Sequence, residues 1–427
     1  MTEKLLQFIW RYRHFNQQQL RLSSGDMVHI LSPGQFNQNQ GPDFLHARIR
    51  IGNTLWVGHV ELHLLSSDWK KHAHETDHNY DNVILHVVWE NDQQPILRNI
   101  PTLELAPRVS KLLLEKYRKW MNEISWIPCG NSLQQTKPIV MLSWKQRLLA
   151  ERLGRKCKVL QQYLDQSKHH WEEVFWWILA GSFGITVNAC AFEAIARSIS
   201  TQILGKHKNR PVQLEALLLG QAGLLDRDFS DAYPLELNRE FRFLKKKYQL
   251  TPIHQQVHFL RMRPENFPTI RLSQLASLIH ASSHLFSRVR EAESIREIRQ
   301  MFSVTASAYW KDHYVFEEPA PARPKMLGRQ MQDSILINAL APMLFAYGVV
   351  QQEDNFAQKA FQWLEKVAPE KNSIVKKWQA LGMDNQHASD SQALLELKTH
   401  YCDKKRCLEC AIGNALLGST GLSTDDR

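Results

Sequence analysis

Residues 41–65 read GPDFLHARIRIGNTLWVGHVELHLL, and this stretch decides the fold. Ala47–Ile51 and Leu55–Leu65 are rich in β-branched and apolar residues, and Gly52-Asn53 sits between them. An Asn- or Gly-bearing pair joining two such runs is a hairpin signal. The stretch therefore reads as two antiparallel strands. Asp43 stands at the entry to the first, and Glu61 and His63 share one face of the second, because strand side chains alternate.

Working outward, Met27–Leu31 and Val83–Val88 read as further strands, bounded by Ser24-Gly25-Asp26, Ser32-Pro33-Gly34 and Asn91-Asp92. Leu5, Leu6, Ile9 and Trp10 recur at helical spacing between Glu3 and Phe15. Asp68 to Tyr80 is expected to form a short helix, with Asp68 as its cap. Pro101 to Trp120 leads into helix. The order helix, three strands, helix, strand defines an α/β or α+β module over residues 1–110. A connecting segment, 111–140, leads to an all-α domain over 141–427, where periodicity is helical almost throughout. The Pro319–Pro324 stretch is the one Pro-rich linker, and Gly220-Gln-Ala-Gly223 reads as close helix packing.

Composition limits the function classes. The chain has 427 residues, 43% hydrophobic and 22% charged, with 13 Trp, 18 Phe and 10 Tyr. So many aromatics exclude large-scale disorder. Net charge is +10, which favours a polyanionic partner. Residues 1–110 hold 10 Lys and Arg against 11 Asp and Glu, so the excess lies in the helical body, while 9 of the 19 histidines lie in those first 110 positions. The two long apolar stretches, Val174–Phe192 and Ser334–Gln352, are interrupted by Gly, Asn or Pro and read as buried helices, so no membrane partner is expected. The N-terminus lacks the apolar run of an export signal, which makes the cytoplasm the expected location. The six cysteines are then thiols or metal ligands, not disulfides. Nothing in the sequence sets an oligomeric state.

An Asp and a Glu from neighbouring strands can share one hard divalent cation, which activates water and offsets charge on a phosphate. With Pro42-Asp43 and Glu61-Leu62-His63 in this strand order, the module resembles the PD-(D/E)xK nuclease superfamily. The resemblance implies a restriction-endonuclease-like fold. It also implies Asp43 and Glu61 as ligands of Mg²⁺ or Mn²⁺, Glu3 on the leading helix as an auxiliary ligand, and His63 at the position where Lys is usual. A histidine there carries charge only as pH allows. More locally, the Gly41, Gly58, Ser67 and Tyr80 segments resemble a bacterial family of unknown function, DUF2851. The function expected is a metal-dependent nuclease acting on nucleic acid, with DNA as the favoured substrate. The alternative is a non-catalytic nucleic-acid-binding protein that keeps the fold.

Two further clusters stand out. His72 and His74, beside Lys70 and Lys71, are expected on a solvated helix, where contact with phosphate is favoured over a zinc site shared with His63; His86 reads as a core or site-wall residue. Arg261 and Arg263 lie in a basic turn with Asn266 and Phe267, suited to a nucleic-acid backbone. Cys402, Cys407 and Cys410 form a C-x4-C-x2-C run, and Cys129 is the other cysteine in a turn-like setting. Together they suit Zn²⁺ or a [4Fe–4S] cluster. Cys157 and Cys190 read as core.

Overall fold

Helix α1, Glu3–Tyr12, begins at Thr2, whose side chain accepts from the Leu5 N–H (3.3 Å). It buries Leu5, Leu6, Phe8, Ile9 and Trp10. That stripe leaves Glu3 and Gln7, four residues apart, together on another face. The chain is seen in a computed structural model that describes residues 1–72, 74, 76–93, 100–260 and 262–419.

Five strands follow one another across a mixed sheet. They are β1 (Val28–Ser32), β3 (Phe44–Ile51), β4 (Thr54–Leu65), β5 (Val83–Glu90) and β6 (Thr102–Glu104), with β2 (Gln35–Phe36) paired to β3. β1, β3 and β4 are antiparallel, whereas β4–β5 and β5–β6 are parallel. The hairpin expected at Gly52-Asn53 is present, with Ile51 opposite Thr54 and Gly52 at φ +55°. β6 was not anticipated: three residues are too few for a periodicity signal. The short helix expected over Asp68–Tyr80 is only α2, Asp68–Lys71, followed by a 3₁₀ turn at His78–Tyr80.

β4 is half covered. Leu55, Trp56 and Val57 are exposed, but Val60 to His63 are buried. The apolar character of both faces therefore signals cover only over the second half of the strand, where β5 adds a parallel partner from His59 onward. Gly58 marks the transition. A Cβ there would lie 2.4 Å from Ile84 Cγ2 and 2.7 Å from the Asn82 carbonyl, so only glycine lets β5 start this close.

Contacts divide the chain into two units, residues 1–144 with 397–427, and residues 145–396. The sequence boundaries at 110 and 140 differ from this division. Helix α3 (Lys111–Asn122), the start of α4 (Pro138–Gln166) and the cysteine-bearing C-terminal segment all belong with the sheet. The second unit is helical, with one small hairpin (His313–Val315 with Glu318–Pro319) just before the Pro-rich stretch. The periodic run over 272–302 is three helices, Pro268–Ala281, Leu285–Glu291 and Ile295–Met301. Residues Arg329–Gln351 are long and apolar enough to cross a membrane, but 67% of that window is buried inside the protein. Gly220 packs directly on the Phe241 ring, the close helix approach expected there.

Candidate metal centre

The site forms where α1, the start of β3, the buried half of β4 and the segment after α2 converge. The backbone N–H of Asp43 donates to Glu61 Oε2 (3.0 Å). Asp43 Oδ2 accepts from the Leu62 N–H (3.2 Å), and Oδ1 accepts from Gln7 Nε2 (2.8 Å). A β-bulge shifts the β3–β4 register between Phe44 and Ala47, with His46 at φ +57°. Bulges of this kind re-aim side chains beside functional sites.

On its other oxygen, Glu61 meets the histidines. Oε1 lies 3.6 Å from His63 Nε2 and 3.5 Å from His74 Nε2, and His63 Nε2 lies 3.1 Å from His72 Nδ1. The three histidines each offer a nitrogen, all within 4.8 Å of one another. His63 Nδ1 is held by His86 Nε2 at 2.9 Å. Trp69 is buried edge-on to His63, His74 and His86, and Tyr80 stacks on His74 with centroids 3.8 Å apart.

Burial and like charge shape the electrostatics. Asp43 is pushed up to about 8, first by burial and then by Glu61 and Glu3; the Leu62 and Gln7 hydrogen bonds oppose this. Burial, then Glu61, also raises Glu3. Burial holds His63 and His86 down at about 3, with neighbouring histidines adding to the effect. His63 is thus a neutral ring at neutral pH. Such a ring offers a lone pair to an ion.

Glu3, Asp43, Glu61, His63, His72 and His74 are brought together. The expectation that His72 and His74 share a solvated helix is corrected. Both lie beyond α2; His72 is exposed, but His74 is only 8% exposed and Tyr80 covers it. Lys70 and Lys71 do stay in solvent, Lys71 paired to Asp68 at 2.6 Å. Arg263 is exposed in the second unit, and Arg261 lies outside the described residues. Sequence reasoning missed Gln7 and Tyr80. The i, i+4 spacing of Gln7 from Glu3 was the available signal for the first.

The donor set fits a metal. Tetrahedral ligands about 2.0–2.1 Å from an ion sit roughly 3.3 Å apart, and the Glu61–His63, Glu61–His74 and His63–His72 separations of 3.6, 3.5 and 3.1 Å lie near that value. His74 Nε2 is buried with no hydrogen-bond partner among the described residues, an atom that coordination would satisfy. The His63–His86 contact supplies the outer partner that ligating histidines require.

The family model for DUF2851, proteins of unknown function, matches residues 3–373, spanning this site and most of the second unit. The chain belongs to the DUF2851 family. Comparison with curated proteins and with solved structures returns no match. The DUF2851 match ends before the C-terminal cysteines, which gather elsewhere in the first unit. Cys129, Cys407 and Cys410 are buried and Cys402 half-buried. Burial raises all four thiols, Cys129 and Cys407 to about 12, and Cys129, Cys402 and Cys407 are raised further by charge on other members of the set. The Gly413 and Ile412 backbone and the Trp144 side chain oppose the rise at Cys410. Lys405 donates to the Met121 and Glu123 carbonyls at the end of α3. Cys157 is buried as expected, whereas Cys190 is exposed, on the outer side of helix Ile185–Ser198.

Proposed function

We propose that this DUF2851 protein is a metal-dependent phosphodiester hydrolase of nuclease type acting on nucleic acid, with DNA as the favoured substrate. The observation that carries the reading is the position of Glu61, with one oxygen toward the Asp43 N–H and the other toward His63 and His74, and with His72 beside His63. A carboxylate so placed can serve two kinds of ligand set. Asp43, with Glu3 nearby, suits a hard ion such as Mg²⁺ or Mn²⁺. His63, His72 and His74 suit a softer one such as Mn²⁺ or Zn²⁺. A bound ion would supply Lewis acidity and an activated water. The chain's own residues do the rest: Gln7 and the Leu62 N–H orient Asp43, His86 orients His63, and Trp69 and Tyr80 keep water from the histidine side.

In this reading His63 acts as a ligand, and Lys70 and Lys71 at the rim meet the phosphate backbone. The resemblance to PD-(D/E)xK nucleases in Pro42-Asp43 and Glu61-Leu62-His63 supports the reaction class, and the excess of +10 supports a polyanionic substrate. The four cysteines are proposed to hold Zn²⁺ or a [4Fe–4S] cluster with a structural role, because four buried thiols are a recognised donor set for either.

Incubation of mixed single- and double-stranded DNA and RNA with Mg²⁺, Mn²⁺ or Zn²⁺ tests the proposal. Asp43→Ala, Glu61→Ala and His63→Ala should each lose cleavage. Cleavage that persists in all three variants would sink the site. Nucleic-acid binding with no cleavage under any metal would favour a non-catalytic binding protein.

A further inference from the structure

The second unit contains a cavity of about 810 Å³ whose lining includes Arg263, Arg271, Arg323 and Lys325. One carboxylate lines it, Glu265, and that group is exposed and paired with Arg323 at 2.6 Å. The two deeper cations are only 6% and 5% exposed, and among the described residues neither touches a carboxylate. Arg271 donates to Gln274 Oε1 (2.8 Å) and Asn266 Oδ1 (2.5 Å), leaving its Nε unpartnered. Lys325 Nζ donates to the carbonyls of Lys311 (2.8 Å) and Arg323 (3.3 Å) and lies 4.2 Å from the Tyr314 ring centroid.

Burying a cation against neutral acceptors alone is costly, and an anion from outside offsets that cost. Burial already weighs on Arg271, holding its guanidinium down at about 10 even with the charge of Glu265 opposing it. The remaining wall mixes polar groups such as Gln330 and Ser334 with an apolar portion, Met262, Ile270, Met326 and Met331. Thioether side chains adapt to flat or irregular ligands. The volume exceeds what a bare phosphate fills and falls in the usual range for small-molecule sites, about 300–1,000 Å³.

We infer that this cavity binds a nucleoside phosphate, its phosphate on Arg271 and Lys325 and its base against the methionine wall. The ligand is a free mononucleotide or one residue of a nucleic-acid strand. Arg263 and Asn266, in the basic turn suited to a nucleic-acid backbone, lie on this same wall. The inference stands apart from the metal centre and does not require any cleavage.

Calorimetric titration of the full chain, with EDTA present to silence metal chemistry, tests it. The probes are inorganic phosphate, adenosine 5′-monophosphate and a short oligothymidylate. The mononucleotide should bind more tightly than phosphate, and Lys325→Met and Arg271→Met should each weaken it by about tenfold or more, the loss of one charge-assisted hydrogen bond. Asp43→Ala should bind unchanged, which separates this site from the metal centre. An oligothymidylate tighter than the mononucleotide identifies the strand as the ligand, and the reverse order identifies the free nucleotide. Should either buried variant unfold, Arg263→Ala and Arg323→Ala at the rim must weaken binding. No saturable binding of either nucleotide probe by the wild type would overturn the inference, as would equal affinity in all folded variants.

Discussion

Asp43 and Glu61 are locked together through the backbone: the Asp43 N–H donates to Glu61 Oε2, and the Asp43 carboxylate accepts from Leu62, the residue after Glu61. A half-buried and a buried carboxyl group are thus held side by side where the start of β3 meets β4. The arrangement raises the free energy of the metal-free protein, because burial and the neighbouring Glu61 both oppose ionisation of Asp43.

Asp43→Asn removes the ionisable carboxyl while keeping an amide oxygen able to accept from the Leu62 N–H. We expect the variant to be more stable than wild type in chelator, by ~1–2 kcal/mol, and to lose most of its response to Mn²⁺. At a metal concentration near 100 times the dissociation constant, a bound ion adds about 2.7 kcal/mol to the wild type. Thermal unfolding with and without Mn²⁺ reads both effects. An equal Mn²⁺ stabilisation in the variant would contradict the assignment of Asp43.

Cys129→Ser should abolish the metal binding proposed for the cysteines and lower stability by several kcal/mol, since metal bound there would count as folding free energy. Cys190→Ser, at an exposed position, should stay within about 0.5 kcal/mol of wild type. Metal analysis with a visible spectrum of anaerobically purified protein separates the two candidate centres: zinc is colourless, and an iron–sulfur cluster is brown. Wild-type protein free of both metals would end the idea.

Gly220→Ala should destabilise the second unit by about 1–3 kcal/mol through overpacking. The new Cβ would lie 2.2 Å from the Phe241 ring. Gly223 meets nothing within 4 Å but holds φ +72°, so Gly223→Ala should cost only about 1 kcal/mol. The paired substitution Gly220→Ala with Phe241→Leu should recover part of the first loss. Chemical denaturation of the three variants measures it.

Lys156 supplies a pH test. Its amine reaches Asn338 Oδ1 at 3.3 Å, and burial, with Arg152 and Arg155 nearby, pushes it down to about 7 from an ordinary value of 10.5. Between those values the unfolded chain holds a proton that the folded chain lacks. Stability from this group therefore rises with pH across that window, and the full penalty applies below it. Lys156→Met should be more stable than wild type at neutral pH, by on the order of a few kcal/mol, and should flatten the rise from pH 7 to 10. A variant with the wild-type pH profile would place the proton elsewhere.

Much of the first unit was legible in residues 1–110. The Gly52-Asn53 turn between two apolar runs identified the β3–β4 hairpin, and that hairpin puts Asp43 beside Glu61. Helical spacing placed Glu3 on α1, and the clustering of Cys402, Cys407 and Cys410 marked them as a set. These are local signals, set by the periods of helix and strand and by the turn chemistry of a few residues.

Other features depend on contacts between distant segments. That His74 turns inward, and that His86 rather than a carboxylate holds His63, follows from the parallel pairing of β4 with β5, where Glu61 stands opposite His86. Parallel strands meet only through a crossover, so no local pattern sets their register. The same holds for Arg271 and Lys325, 54 positions apart in the chain and lining one cavity. Residue spacing along the sequence determined which groups are available for chemistry. Tertiary packing alone decided which of them are desolvated and which face each other, because burial and through-space charge have no period in the sequence.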